Sequence, residues 1–226
     1  MSIFSYHLLS NGVRGARGLY YHYPSLKAVP GLIYSERMMR MQLGEKIFSL
    51  SRYKINHLIF CAQWEEESCL DAFLSKNSFG RLLNEGWHAR LDPVRRWGNY
   101  NGFRLSEIPG QAKPLEDKVV AITIAKMKPL EMVRFIKWGF PVEKQVKSHP
   151  GVKVAMAGFR PMQVISTFTI WENENSMRDM VMGKSDVVDS QRHIQAMKER
   201  NRRDFYKEFT TLRFRLISEE GTLHTH

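Results

Sequence analysis

The chain contains only two cysteines, Cys61 and Cys69, in 226 residues, too few for a disulfide framework. No charged segment precedes an apolar core at the start; Met1-Ser2-Ile3-Phe4 leads directly into a strand-like run. No apolar stretch approaches the roughly 20 residues needed to span a bilayer. These absences point to a reduced, cytoplasmic protein whose only route to a membrane is peripheral contact, at the inner face. HxH, HExxH and CxxC spacings are missing, which argues against a dedicated zinc site. So are the P-loop, GxGxxG and GxSxG, which argues against nucleotide, dinucleotide and serine-hydrolase chemistry.

Positive charge, by contrast, is abundant: the formal charge is +11 and the pI near 9.7. Nucleic acid is the usual partner for such a charge. Here the basic residues are spread along the chain, with neither zinc-finger spacing nor an RNA-recognition signature, so no nucleic acid is expected. Anionic lipid headgroups, an acidic small molecule such as propionate-bearing heme, or a surface that is simply basic all remain open. Hydrophobic residues make up 43% and aromatics 12%, enough for a sizeable core.

Two segments echo each other. Phe60-Cys61-Ala62-Gln63-Trp64-Glu65 resembles Thr167-Phe168-Thr169-Ile170-Trp171-Glu172, and Pro30-Gly31 matches Pro150-Gly151. Each Trp-Glu is followed by polar residues and a short apolar helix. Strands are expected at Ser2–Leu9, His57–Trp64, Lys118–Ala125, Val152–Ala157, Val164–Trp171 and Leu212–Ser218. Helices are expected at Leu19–Val29, Ser68–Leu74, Phe79–Trp87, from Pro129, at Ser176–Met182 and from Gln191 to Phe209. The helix from Pro129 offers Leu130, Val133, Phe135, Ile136 and Phe140 as an apolar face. Gly44–Lys54, Asp92-Pro93, Trp97–Phe103 and Gly158–Pro161 read as loops, and 109–117 as a linker. The fold class is therefore α+β: a duplicated ferredoxin-like β-α-β-β-α-β unit, residues 1–108 and 118–226, closing into an α+β barrel. A cleft between a sheet and its helices is then large enough for a cofactor.

The candidate for chemistry is His193. On a helix, His193, Ala196, Met197 and Arg200 share one face. Neutral imidazole is an axial ligand for heme iron, and Arg192, Lys198, Arg200, Arg202 and Arg203 are cations suited to propionates. By periodicity alone, His193 reads first as a solvated histidine at a helix start. His88 holds a comparable place in the first half as a rival ligand. Glu65-Glu66-Glu67 reads as a helix start rather than an acidic catalytic cluster, and the twelve methionines read as core.

The run His149-Pro150-Gly151-Val152, Gly158, Gln163 through Trp171, Met177, His193-Ile194-Gln195-Ala196-Met197, Arg203 through Glu208, Arg213-Phe214 and Glu220-Gly221-Thr222 resembles the spheroidene monooxygenase family, the acyclic-carotenoid 2-ketolases. Pro30-Gly31-Leu32, the strand before Trp64, Arg96-Trp97 and Gly102-Phe103 agree with it too. The resemblance implies a heme-dependent monooxygenase (heme b) that uses dioxygen on an apolar, carotenoid-like substrate. It places the family histidine on His193 as the metal ligand, with Met197 and Arg200 beside the cofactor. Arg160, Gln163 and Arg104 are the distal, catalytic candidates. An electron donor protein is implied as a partner, and a homodimer through outer surfaces is open. A non-catalytic heme or small-ligand binder, and a cofactor-free monooxygenase of the same fold, are the alternative readings.

Overall fold

A computed structural model describes residues 2–10, 28–103, 117–161, 163–187 and 189–223. The first half contributes β1 (Ile3–Leu9), β2 (Leu32–Met41), β3 (Tyr53–Trp64), α1 (Glu67–Lys76), α2 (Ser78–Asn84) and β4 (Trp87–Asn99). The second contributes β5 (Val119–Met127), α3 (Met132–Ser148), β6 (Val152–Arg160), β7 (Val164–Trp171), α4 (Glu174–Val181), α5 (Arg192–Arg202) and β8 (Tyr206–Glu220). All eight strands close into one barrel in the order β1-β3-β2-β6-β7-β5-β8-β4. Each half supplies four neighbouring strands, all antiparallel, and the halves join at β2–β6 and β4–β8. The expected helix at Leu19–Val29 and the expected linker fall almost wholly outside the described residues.

Alternation writes the barrel interior. Phe4, Tyr6 and Leu8 on β1, Ile59 and Cys61 on β3, Val120, Ile122 and Ile124 on β5, and Phe168 and Ile170 on β7 point inward and are buried together. A fully buried side chain of this size contributes roughly 1.5–3 kcal/mol relative to exposure.

The duplicated marks have a shared physical basis. In each half the glycine after the proline accepts from the glutamate that follows the tryptophan: Glu65 N–H to Gly31 O and Glu172 N–H to Gly151 O, both 2.8 Å. Each glycine also lies against the helix that follows. A Cβ on Gly31 would sit 2.2 Å from Cys69 Sγ, and one on Gly151 would sit 2.6 Å from Ser176 Cβ. Each tryptophan N–H is satisfied by a hydroxyl on the sheet, Trp64 to Ser5 Oγ at 2.9 Å and Trp171 to Thr169 Oγ1 at 2.8 Å.

Several expectations are corrected. The last helix ends at Arg202 instead of Phe209. Asp204 accepts from the Tyr206 N–H at 3.0 Å and turns the chain, and residues 206–220 become a strand paired on both sides. Two ladders outweigh the helical propensity of Lys207 and Glu208. The segment Trp87–Asn99, expected to finish a helix and then form loops, is one long strand. Pro93 is tolerated there because the ladder with β8 shifts register between Pro93 and Arg95. Leu32–Met41, left unassigned by its mixed apolar and basic pattern, is β2, and Gly158–Arg160 belongs to β6 rather than a loop. Leu130 and Val133, expected on the buried face of the helix after Pro129, are 95% and 81% exposed.

Candidate functional site

The two sheets differ on their outer faces. In the first half, Ile3, Leu9, Leu58, Phe60, Ala62 and Trp64 are sealed under Leu70, Phe73 and Leu74 of α1 and Phe79 and Leu83 of α2. In the second half, register places Ala and Thr residues side by side, with Arg213 at one edge. Ala155, Thr169, Ala121 and Arg213 form one row across β6, β7, β5 and β8; Ala157, Thr167, Thr123 and Thr211 form the next. Larger residues border this floor, with Phe159, Ile165 and Phe209 in the row beyond Ala125 and with Trp171 and Val119 at the opposite end.

Helix α3 bridges the floor and touches down at both ends. Near its C-terminus, Val146 packs on the cluster of Trp171, Val119, Met177 and Met180, and the His149 ring meets Trp171 edge-on at 5.2 Å. Near its N-terminus, Phe135 packs against Phe205 and Tyr206 at 6.0 and 5.8 Å. Between these ends Ala121, Thr123, Ala155, Thr167 and Thr211 are partly buried, while Ala157 and Thr169 are buried, and Met41, Leu43 and Tyr53 pack on the Ala155–Ala157 edge. This partly buried Ala/Thr patch of the second half is the candidate site.

Helix α5 lies against α3 and carries His193, Met197 and Arg200. Gln145, buried on α3, fixes its start. The Gln145 amide donates to Met180 O (3.2 Å) and Ser190 O (2.7 Å), and its Oε1 accepts the His193 N–H at 2.8 Å. The far end is clasped by ions: Glu131 pairs with Arg134 and Arg203, and Glu199 accepts from Arg134 at 2.7 Å and from Arg202 at 2.8 Å. Bonds from Arg202 and Arg134 hold the Glu199 carboxyl down to about 2.

His193 Nδ1 lies 3.1 Å from the Val181 carbonyl oxygen. A carbonyl only accepts, so Nδ1 carries the proton and Nε2 keeps its lone pair. Burial lowers the proton affinity of the ring, with the Val181 bond partly offsetting it, so His193 is neutral near pH 7. An imidazole anchored through one nitrogen and basic at the other is the donor chemistry of an axial metal ligand. Arg200 lies flat on the Phe209 ring, 3.7 Å from its centroid, and pairs with Asp204 at 3.5 Å. Met197 is half-buried on the same helix. Imidazole, thioether and guanidinium thus share one helix, and Arg200 reaches Phe209 at the border of the Ala/Thr patch.

The expected distal residues are elsewhere. Arg160 ends β6 on the barrel-interior side, its Nη1 3.2 Å from Glu36 Oε2. Glu36 is buried and accepts from Tyr34 Oη (2.5 Å) and Tyr100 Oη (2.7 Å). Burial first, and then the carboxylate, push both phenols well up, so they remain donors. Gln163 sits in an exposed turn, its N–H bonded to Arg160 O and its carbonyl accepting from Met127 N. The sheet separates this group from His193. Arg104 lies outside the described residues. His88 is no counterpart of His193: it is on β4, buried and stacked on His7 at 5.2 Å. Among the described residues no group of three or more His, Cys, Asp or Glu could hold a metal ion. Gln145 and the Ala/Thr floor had escaped the sequence reading. The floor is visible there as Ala-X-Thr and Thr-X-Thr alternation, but only the register reveals that the strands align it.

The described residues define a single-chain α+β barrel whose second half carries a partly buried Ala/Thr patch beside its helices. No protein-family model matches the chain. The chain is similar to spheroidene monooxygenase of Rubrivivax gelatinosus, at 26% identity over 163 residues, covering 70% of this chain and 59% of that protein. It thus spans less than two thirds of the curated relative's length. Among solved structures, an aldoxime dehydratase in complex with butyraldoxime aligns over 99% of this chain and 83% of its own, with a TM-score of 0.58 and 6% identity, a likeness of fold. A heme-degrading enzyme from Listeria monocytogenes aligns over 94% of this chain and 99% of its own at a TM-score of 0.29 and 12% identity, too loose to carry an argument.

Proposed function

We propose that the chain is a heme-dependent monooxygenase acting on an apolar, carotenoid-like substrate, with the cofactor at the Ala/Thr patch and His193 Nε2 as its axial ligand. One observation carries this reading: the hydrogen bond from His193 Nδ1 to Val181 O, which leaves a neutral imidazole with a free lone pair on Nε2. The similarity to spheroidene monooxygenase supports the oxygenase class and the substrate type.

The residues fit heme b on two counts: His193 would supply the iron ligand, and Arg200, now on Phe209 and paired with Asp204, would supply a cation for a propionate. Met197, on the same helix face, would line the cofactor. Bound heme supplies dioxygen binding and, with electrons from a donor protein, the oxidation of a carbon–hydrogen bond. Gln145 anchors the His193 backbone and Val181 holds the imidazole in one tautomer.

Titration of the purified full chain with hemin tests this. The expected outcome is a stoichiometric complex with a Soret band whose position and ligand-field features change in His193→Ala. Failure to bind heme, or an identical spectrum in His193→Ala, overturns the assignment and leaves a cofactor-free oxygenase or a small-ligand binder of this fold.

A further inference from the structure

The β2–β3 connection, residues 42–52, displays two large apolar side chains to solvent. Phe48 is 98% exposed and Leu50 91%, while Lys46 is exposed beside them and Ile47 and Ser49 turn back toward the protein. The loop is firmly built. Arg52, itself buried, donates to both oxygens of Glu143 on α3 at 2.9 and 2.6 Å and to Glu45 O at 2.7 Å. Gly44 N–H reaches the same carboxylate at 3.0 Å, and Tyr53 Oη bonds Ile47 O at 2.8 Å. A buried ion pair and several hydrogen bonds therefore fix a loop that holds two large apolar side chains in water, which is unfavourable.

The ground around the tip is cationic. The exposed Lys144 and Lys147 of α3 run beside the loop; a Cβ on Gly44 would lie 3.9 Å from Lys144 Cγ and 3.4 Å from Lys147 Cδ. Glu143 beside them is neutralised by Arg52, and Glu45 lies in the loop itself. Two apolar tips, with Lys46 next to them in the loop and Lys144 and Lys147 at its base, match a surface that is anionic outside and apolar just beneath. A protein partner of opposite charge would present acidic groups without the adjoining hydrocarbon.

We propose that this loop is a membrane anchor: Phe48 and Leu50 enter the headgroup boundary of an anionic bilayer while the three lysines engage the lipid phosphates. The anchor lies at the end of α3 that carries Gln145, whose amide holds the start of α5 and His193. An apolar molecule leaving the bilayer there would meet the candidate site from its His193 end. Lipid binding itself does not depend on what that site does.

Co-sedimentation of the full chain with vesicles of phosphatidylcholine alone, and with phosphatidylglycerol added, tests the anchor. Wild type is expected to bind the anionic vesicles at least ten times more tightly than the neutral ones, with affinity falling as salt rises. Phe48→Ser/Leu50→Ser and Lys144→Glu/Lys147→Glu should each lose tenfold or more. Both change exposed residues, and thermal melts should match wild type. Independently, Phe48→Trp should give blue-shifted emission quenched by brominated acyl chains. Absence of anionic-vesicle binding, binding undiminished in Phe48→Ser/Leu50→Ser, or unshifted Phe48→Trp emission would each overturn the proposal. Conversion of a wild-type dimer to a monomer by Phe48→Ser/Leu50→Ser, without change in vesicle binding, would assign the tip to a second copy of this chain instead.

Discussion

Acid should unfold this protein through two histidines remote from the candidate site. His7 on β1 and His88 on β4 are directly opposed across the ladder, both buried, with rings stacked 5.2 Å apart. Neither ring nitrogen of His7 makes a hydrogen bond. Burial pushes the His7 pKa well down, and the His88 ring and the Arg90 guanidinium push the same way. Burial also lowers His88, partly offset by Glu220, whose carboxylate is 3.7 Å from Nε2. Arg90 is held by Glu67 and Asp71 from α1, so the cation stays in place. Both rings are therefore neutral in the folded state and take up protons near pH 6.5 once unfolded. The unfolded chain binds more protons below that pH, so stability is full above pH 6.5 and falls as pH drops toward the folded-state pKa values. Each such histidine removes up to about 1.4 kcal/mol per pH unit in that window, and the pair up to about 2.7 kcal/mol. Urea unfolding at pH 7.5, 6.5, 6.0 and 5.5 measures the slope. The double variant His7→Leu/His88→Leu should be near neutral at pH 7.5, because unbonded polar rings give way to apolar ones, and should flatten the slope by roughly that amount. An unchanged slope in the double variant, or no loss of stability in wild type between pH 6.5 and 5.5, refutes the reasoning.

Gln145→Leu should destabilise the fold by about 2–4 kcal/mol in chemical denaturation, because it strands buried partners on three segments; it should also weaken hemin binding by releasing the start of α5. Gly31→Ala combines a φ of +71 with a Cβ 2.2 Å from Cys69 Sγ and should cost about 2–4 kcal/mol, visible as a lowered Tm. Thr123→Phe or Thr167→Phe, on the floor, should abolish hemin binding in a spectroscopic titration while leaving the circular dichroism spectrum unchanged. A melt lowered as far as in Gly31→Ala would mean the floor is packed core instead of a binding surface.

Much of the fold is legible because the repeat carries its own punctuation. Pro-Gly before a strand and Trp-Glu after one recur, and each pair closes the same 2.8 Å hydrogen bond. Val164–Trp171 is read to the residue because its alternation is clean and both flanks are turns. The strand at Trp87–Asn99 is hidden by Pro93, Gly98 and three arginines, tolerated because a shifted ladder absorbs the proline and the outer face is wet. The overlong last helix has the opposite cause: Lys207 and Glu208 look helical locally, and only pairing with β4 and β5 makes them strand. His193 is singled out in the sequence through the family resemblance. Gln145 is not, since a glutamine in a helix announces no buried partner. Arg160 fails as a neighbour of His193 because alternation along β6, extended through Gly158, sends it to the far side of the sheet.

Closure of the barrel within one chain has a consequence for how the protein is made. The β4–β8 seam pairs His88 with Glu220 and Asn99 with Phe209, so the last ladder waits until the ribosome has delivered the final strand. Until then the first half exposes the outer edges of β2 and β4, unpaired rows of amides and carbonyls that invite association with other chains. Such long-range pairing is also slow. Each half expressed alone should therefore aggregate, though its internal sheet is complete, and folding of the whole should be limited by zipping the second half onto a waiting first half, a step that dilution, but not tighter local packing, would protect.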